Sequence, residues 1–260
     1  MAEPIRDLAR ARILIANDDG VRAPGIKLLE KVARTLSKDV WVVAPESEQS
    51  AVAHSLTLRR PLRIHKLGAK RYCVDGTPTD SVLLAIQEIM KDKKPDLLLS
   101  GINAGGNLAD DVTYSGTVAA AIEGAILGVP SIALSQHVLG DHKLQWKTAE
   151  AWAAKAIRAV TAIGWPHDAL ININFPDMPA GKVKGMALVA QGRHKLGDEI
   201  TKRTDPRGRP YYWIGSLRIE DKGEKGTDLE AVTNGLVSIT PLGLDLTHRA
   251  GLARMAKHFK

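Results

Sequence analysis

The chain has 260 residues, with 36 lysines and arginines against 29 aspartates and glutamates, a formal net charge of +7 and one cysteine, Cys73. One cysteine excludes a disulfide framework, and with no run of about 18 apolar residues a membrane-spanning helix has no support. Aromatic residues are 4% of the chain, and the basic groups at Arg59, Arg60 and Arg63 and at Lys202, Arg203, Arg207 and Arg209 are not interleaved with stacking rings. The positive charge therefore suits small phosphorylated ligands better than long nucleic acid. With no signal-like apolar run in the first fourteen residues, a cytoplasmic protein is the expectation.

The first organised stretch is RILIANDDG, residues 12–20. Ile13, Leu14, Ile15 and Ala16 have the length and composition of a parallel strand covered on both faces. Asn17, Asp18, Asp19 and Gly20 end it, at the carboxyl side where open α/β sheets collect ligands. Two adjacent carboxylates there offer hard oxygen ligands to Mg²⁺ or Mn²⁺. The same residues also spell an Asp-Gly turn with one acid capping the next helix. Ile26, Leu28, Leu29, Val32, Ala33 and Leu36 share one helical face, and DVWVVA at 39–44 reads as a second buried strand ended by Pro45. If the two strands are parallel, ESEQS at 46–50 emerges beside the acidic loop and carries Ser50 toward Asp18 and Asp19.

Between Ser55 and Val74, the segments LTLRR, PLRIHKL and RYCV predict strands of a small β excursion at 55–74, with Cys73 as a packing residue. Thr77-Pro78-Thr79-Asp80 is a helix entrance: Thr77 caps, Pro78 takes the first turn and Asp80 completes a capping box, with helix to about residue 91. DLLLS at 96–100 predicts a strand, followed by the loop GINAGGN at 101–107, whose Asn103 and Asn107 offer side-chain oxygens and amides. Its glycine spacing is not that of a dinucleotide-binding loop. Ser115 reads as the N-cap of an alanine-rich helix stopped by Gly128 and Pro130, with Gly116 and Thr117 in the first turn. Free N–H groups there can hold phosphate oxygens, with the Ser115 and Thr117 hydroxyls adding contacts; a capped helix that meets no ligand is the alternative.

PSIALS at 130–135, ALININF at 169–175 and VKGMALVAQ at 183–191 predict further strands around a long helix from Trp146 to Ile163. Residues 192–210 are polar and turn-rich, an extended arm or active-site flap suited to an intersubunit contact. YYWIG at 211–215 and LVSIT at 236–240 read as strands, DLEAV at 228–232 as a short helix and Leu246 to Phe259 as a terminal helix. The whole predicts an α/β fold: three layers around a Rossmann-like, mostly parallel sheet, with a C-terminal β-rich arm and a terminal helix. Residues 1–190 would form the main domain and 191–260 the arm and closing or oligomerisation elements.

Paired acids after the first strand, hydroxyls after the second, asparagines in a glycine-rich loop and a polar helix start occur in a specific order. NDDG at 17–20, APESEQSAVAHS at 44–55, DGTPTDSV at 75–82, SGINAGGNLADDVTYSGTVAAAIEG at 100–124 and TDLEAVTNGLVSITPL at 227–242 carry the pattern over nearly the whole chain. In this it resembles the SurE family of stationary-phase survival nucleotidases. The resemblance implies a divalent-metal-dependent phosphomonoesterase that releases phosphate from nucleoside 5′- or 3′-monophosphates. Carried over residue by residue, the metal ligands are Asp18, Asp19, Ser50 and Asn103, and the ion is Mg²⁺ or Mn²⁺. Asn107 and the Ser115-Gly116-Thr117 helix start would orient phosphoryl oxygens. His54, in the AVAHS segment, would contact substrate or assist proton transfer, a structural histidine being the alternative.

Residues 103–107 read NAGGN. Ala104 lacks the cation found in some relatives, and Gly106 predicts a freer loop than a proline version, with a larger ordering cost. The resemblance further implies a homodimer or homotetramer. Hydrolysis of short polyphosphate, or nucleotide binding without chemistry in a stress regulator, are the alternative functions.

Overall fold

The computed structural model describes residues 3–140, 142–193, 200–214 and 223–259. Strand β1 (Arg12–Ala16) lies inside the sheet, paired in parallel with β2 (Asp39–Pro45) on one side and β5 (Leu97–Ala104) on the other. Its alternation divides the core into two layers. Ile13 and Ile15 pack with α1 (Pro24–Arg34) and α4 (Trp146–Ile163), whereas Leu14 and Ala16 pack with α2 (Pro78–Leu84) and α3 (Gly116–Ile126). Each such fully buried aliphatic side chain contributes about 1.5–3 kcal/mol of transfer free energy, which is why short apolar runs suffice to define these strands.

The main sheet has nine strands in the order β3-β4-β2-β1-β5-β6-β7-β11-β8, where β3 is Ile64–Gly68, β4 Arg71–Val74, β6 Ser131–Gln136, β7 Ala169–Phe175, β8 Gly185–Leu188 and β11 Leu236–Gly243. Pairing is parallel from β4 through β7; β3 against β4 and β11 against β7 are antiparallel. Strands β9 (Ile200–Thr204) and β10 (Pro210–Ile214) form a separate antiparallel pair, the observed part of the expected arm. The remaining arm positions, 194–199 and 215–222, lie outside the described residues. Helices α5 (Asp228–Thr233) and α6 (Arg249–Met255) complete the chain. The mostly parallel, three-layer sheet with its β arm and terminal helix is the architecture expected.

Three local expectations differ. The β3–β4 pair extends the main sheet through β2, and LTLRR is not a strand: the Thr57 N–H is taken by Asp80 Oδ1 at 2.9 Å, and Leu58 is 84% exposed. Strand β5 runs past Ser100, because after a register shift Asn103 and Ala104 pair with Ser135 and Gln136 of β6. The terminal helix starts at Arg249, not Leu246, since His248 caps it by accepting from the Gly251 N–H and leaves Leu246 95% exposed. Thr77 and Asp80 form the expected capping box.

At the amino ends of the strands, Arg12 donates through its N–H to Asp96 Oδ2 at 2.7 Å and through Nε to Asp39 Oδ2 at 2.8 Å. Lys70 Nζ and Trp41 Nε1 also donate to Asp39 Oδ1, at 2.7 and 2.8 Å. Against the upward push of desolvation, these donors hold the Asp39 carboxyl at about 2. This pole is a charge-assisted brace. The acidic loop after β1 leaves the opposite pole.

Candidate active site

Asp18 sits where β1 meets the start of α3. Its carboxylate is 5% exposed and accepts from the Thr117 hydroxyl and from the Thr117 N–H. The approach requires glycine at 116: a Cβ there would lie 2.7 Å from Asp18 Cβ and 2.9 Å from Oδ2. Burial pushes the Asp18 carboxyl above its ordinary range, and the Thr117 bonds pull against that push. For the half-buried Asp19, burial and then the adjacent Asp18 charge raise the carboxyl to about 6, opposed by the Ala104 N–H at the end of β5. The Glu48 charge adds to the upward push on both.

The loop after β2 reaches this acid pair as parallel pairing requires. The Gln49 N–H donates to the Asp18 carbonyl at 2.8 Å, which brings the neighbouring Ser50 to the site; the exposed Ser50 hydroxyl donates to Glu48 Oε1 at 2.7 Å. From β5, Asn103 Nδ2 donates to the Gly105 carbonyl at 2.9 Å, leaving the amide oxygen as the atom a cation could take. Asn17 braces the turn through Nδ2 to the Gly20 carbonyl at 3.0 Å, while its buried Oδ1 has no hydrogen-bond partner.

The glycine loop is pinned at three places. A Cβ at 106 would lie 2.7 Å from His137 Nδ1, the Gly105 N–H donates to the Gln136 carbonyl at 3.1 Å, and buried Asn107 donates through Nδ2 to Ser135 Oγ at 2.8 Å. The helix start is also largely committed. The N–H groups of Thr117, Val118 and Ala119 go to Asp18, to Ser115 Oγ and to the Ser115 carbonyl, so Ser115 serves as the cap and the Thr117 hydroxyl serves Asp18. His54 is held by one ring nitrogen: Nε2 lies 2.9 Å from Oε2 of Glu123, two turns into α3. The structure thus gathers Asp18, Asp19, Gly116 and Thr117 directly and brings Ser50 and Asn103 to their rim, while Asn107 and His54 are tied to other groups.

Sequence reading did not single out Glu48, Glu123, Asn172 or Asn174. Two asparagines alternating inside the apolar strand ALININF were the available signal, since buried amides demand partners.

Among the described residues no group of three or more His, Cys, Asp or Glu is arranged to hold a metal. The expected set needs only two carboxylates beside one hydroxyl and one amide oxygen, a hard-donor combination suited to Mg²⁺ or Mn²⁺. Two adjacent carboxyls, both raised by burial and by Glu48 and Asp19 further by the Asp18 charge, fit a divalent cation.

A family model described as "Survival protein SurE" matches residues 13–198. A protein of Paramagnetospirillum magneticum named 5'-nucleotidase SurE is 59% identical over 256 residues, covering 98% of each chain. One of the same name from Parvibaculum lavamentivorans is 54% identical over 92% of this chain and 87% of its own. The crystal structure of SurE protein from Aquifex aeolicus superposes with a TM-score of 0.84 at 41% identity, covering 95% of this chain and 99% of that one. On these similarities, which span nearly the whole chain, the chain belongs to the SurE family.

Proposed function

We propose that the chain is a divalent-metal-dependent phosphomonoesterase that hydrolyses nucleoside 5′- and 3′-monophosphates to nucleoside and phosphate. The observation that carries this reading is the acid pair Asp18–Asp19, raised by burial and set against the start of α3. A divalent cation relieves that arrangement, and phosphate chemistry uses one. Names of the similar proteins as 5'-nucleotidases support the substrate class, and the +7 charge favours anionic ligands.

Asp18, Asp19, Ser50 and Asn103 would hold one Mg²⁺ or Mn²⁺. When bound, the ion supplies Lewis acidity toward water and phosphoryl oxygens. The chain's own groups do the positioning. Thr117 fixes Asp18 and the Ala104 N–H fixes Asp19, so neither carboxylate has to be ordered at the moment of reaction. Asn103 is oriented by its bond to the Gly105 carbonyl. Asn107 keeps a second Nδ2 hydrogen for a phosphoryl oxygen after Ser135 has taken the first. Glu123 holds His54 by one nitrogen, and the other is the one left to meet substrate.

Exposed Tyr212, Trp213 and Ile214 on β10 support a homodimer or homotetramer, because such rings and aliphatics seek cover. The test is phosphate release from ribonucleoside and deoxyribonucleoside monophosphates and from short polyphosphate, before and after chelation and Mg²⁺ or Mn²⁺ restoration. Release from monophosphates that chelation abolishes and metal restores is expected. Nucleotide binding with intact substrate would replace the enzyme reading with that of a regulator.

A further inference from the structure

The loop that carries Asn107 is gripped from the second half of the chain at two residues, and each grip takes both backbone groups. At Asn107 the N–H donates to Asn174 Oδ1 at 2.8 Å, and the carbonyl accepts from Asn172 Nδ2 at 2.8 Å and Asn174 Nδ2 at 3.0 Å. At Ala109 the N–H donates to Asp228 Oδ2 at 2.9 Å, and the carbonyl accepts from Gln191 Nε2 at 2.9 Å. Ala109 holds φ at +52°, a conformation a residue with a Cβ keeps only when its surroundings impose it.

The second grip also joins distant chain. Asp228 is fully buried, and its Oδ1 accepts from the N–H groups of Gly192 and Leu229 at 2.9 and 2.8 Å. Ala190 and Thr227 form a parallel bridge, and the Asp228 N–H donates to the Ala190 carbonyl at 2.9 Å. One carboxylate therefore fastens together the two stems of the excursion that contains β9 and β10, and fastens both to the loop two residues after Asn107. A buried carboxylate is costly without donors, and here three N–H groups converge on it.

We infer that Asp228 and Gln191 are positioning residues of the reaction: by fixing Ala109 they set the direction of Asn107, so that the joined stems at 190–192 and 227–228 govern affinity for the phosphate group. The inference rests on the nucleotidase reading only for what Asn107 binds. The hydrogen bonds themselves are open to measurement without turnover.

Asp228→Asn is isosteric but presents one acceptor oxygen to three N–H groups, so a bond to Ala109 or to the stems is lost. Among the described residues Gln191→Ala removes the bond to the Ala109 carbonyl, from a residue at the surface, and decides the matter if Asp228→Asn fails to fold. Three measurements are needed: amide hydrogen exchange over residues 105–113 in chelator, dissociation constants for Mn²⁺ and inorganic phosphate by calorimetry, and kcat and KM for a nucleoside monophosphate. In Asp228→Asn, exchange of the loop amides and the phosphate dissociation constant should both rise about tenfold, the scale on which outer-shell partners act. In Gln191→Ala the phosphate constant should rise about threefold; in both variants KM follows it, while kcat and Mn²⁺ affinity stay within about twofold. Phosphate affinity unchanged in the folded variants overturns the inference, as does an equal loss of Mn²⁺ affinity, which marks collapse of the whole site. A wild-type protein that binds phosphate but never hydrolyses a monophosphate overturns the nucleotidase reading instead.

Discussion

Asp19→Asn should stabilise the metal-free protein while abolishing its chemistry. The folded state raises the Asp19 carboxyl from 3.8 to about 6, through burial first and the Asp18 charge second. At about 1.36 kcal/mol per pH unit, that rise corresponds to roughly 3 kcal/mol of lost stability above pH 6. Asp19 keeps part of its surface in water, and solvent screening reduces the figure to about 1–2 kcal/mol. The direction follows from proton counting. Between 3.8 and about 6 the folded chain binds this proton more tightly than the unfolded chain does, so the contribution is favourable at low pH and is lost as pH rises through the window. An asparagine carries no charge to lose. In chelator at about pH 7.5 the variant should therefore melt about 3–6 °C above wild type, and the gap should close toward about pH 4. At an Mn²⁺ concentration of about 100 times the dissociation constant, wild type gains about 2.7 kcal/mol that the variant forgoes, and the order of melting reverses. A variant that melts at or below wild type in chelator at pH 7.5 would refute the electrostatic reading of the pair.

Thr117→Val removes the hydroxyl on Asp18 Oδ1 and leaves a buried carboxylate short of a donor; a stability loss of about 1–3 kcal/mol and a 10- to 100-fold drop in Mn²⁺ affinity by titration are expected. Gly116→Ala drives a methyl to within 2.7 Å of Asp18 Cβ, and should lower the melting point by an amount equivalent to about 1–3 kcal/mol while phosphate release falls at least tenfold. Mn²⁺ affinity of the wild type should decline by about tenfold or more per pH unit as pH falls well below about 6, because protons on the raised Asp19 and Asp18 carboxyls must leave before the ion binds. Calorimetric affinity that is flat from about pH 7.5 to 5 would exclude Asp19 as a ligand.

Much of this framework is readable in the residues because it is local. ILIA, VWVVA and LLLS are short apolar runs closed by turn residues, the pattern of covered strands, and Thr77 with Asp80, like Ser115, announces a helix within four residues. What escaped reading depends on partners far along the chain. LTLRR has strand-like residues, yet its backbone is taken by Asp80, 23 residues beyond Thr57. Asn172 and Asn174 are set by a carbonyl and an N–H at Asn107, 65 and 67 residues earlier, and no periodicity encodes that meeting. The same holds at the site. The order of the acids and loops named Asp18, Asp19 and Asn103, whereas the diversion of the Thr117 hydroxyl to Asp18 and of His54 to Glu123 is decided by three-dimensional proximity.

The brace of Arg12, Asp39, Lys70 and Trp41 lies at the strands' amino ends, a full sheet length from the acids, and exposed Lys38 stands beside it. The chain's one native thiol, Cys73, is only 3% exposed. A Lys38→Cys variant would thus offer a single reactive handle on the rear of the molecule. Maleimide coupling there should let the protein be tethered to a bead or sensor chip with the Asp18–Asp19 acid pair facing outward.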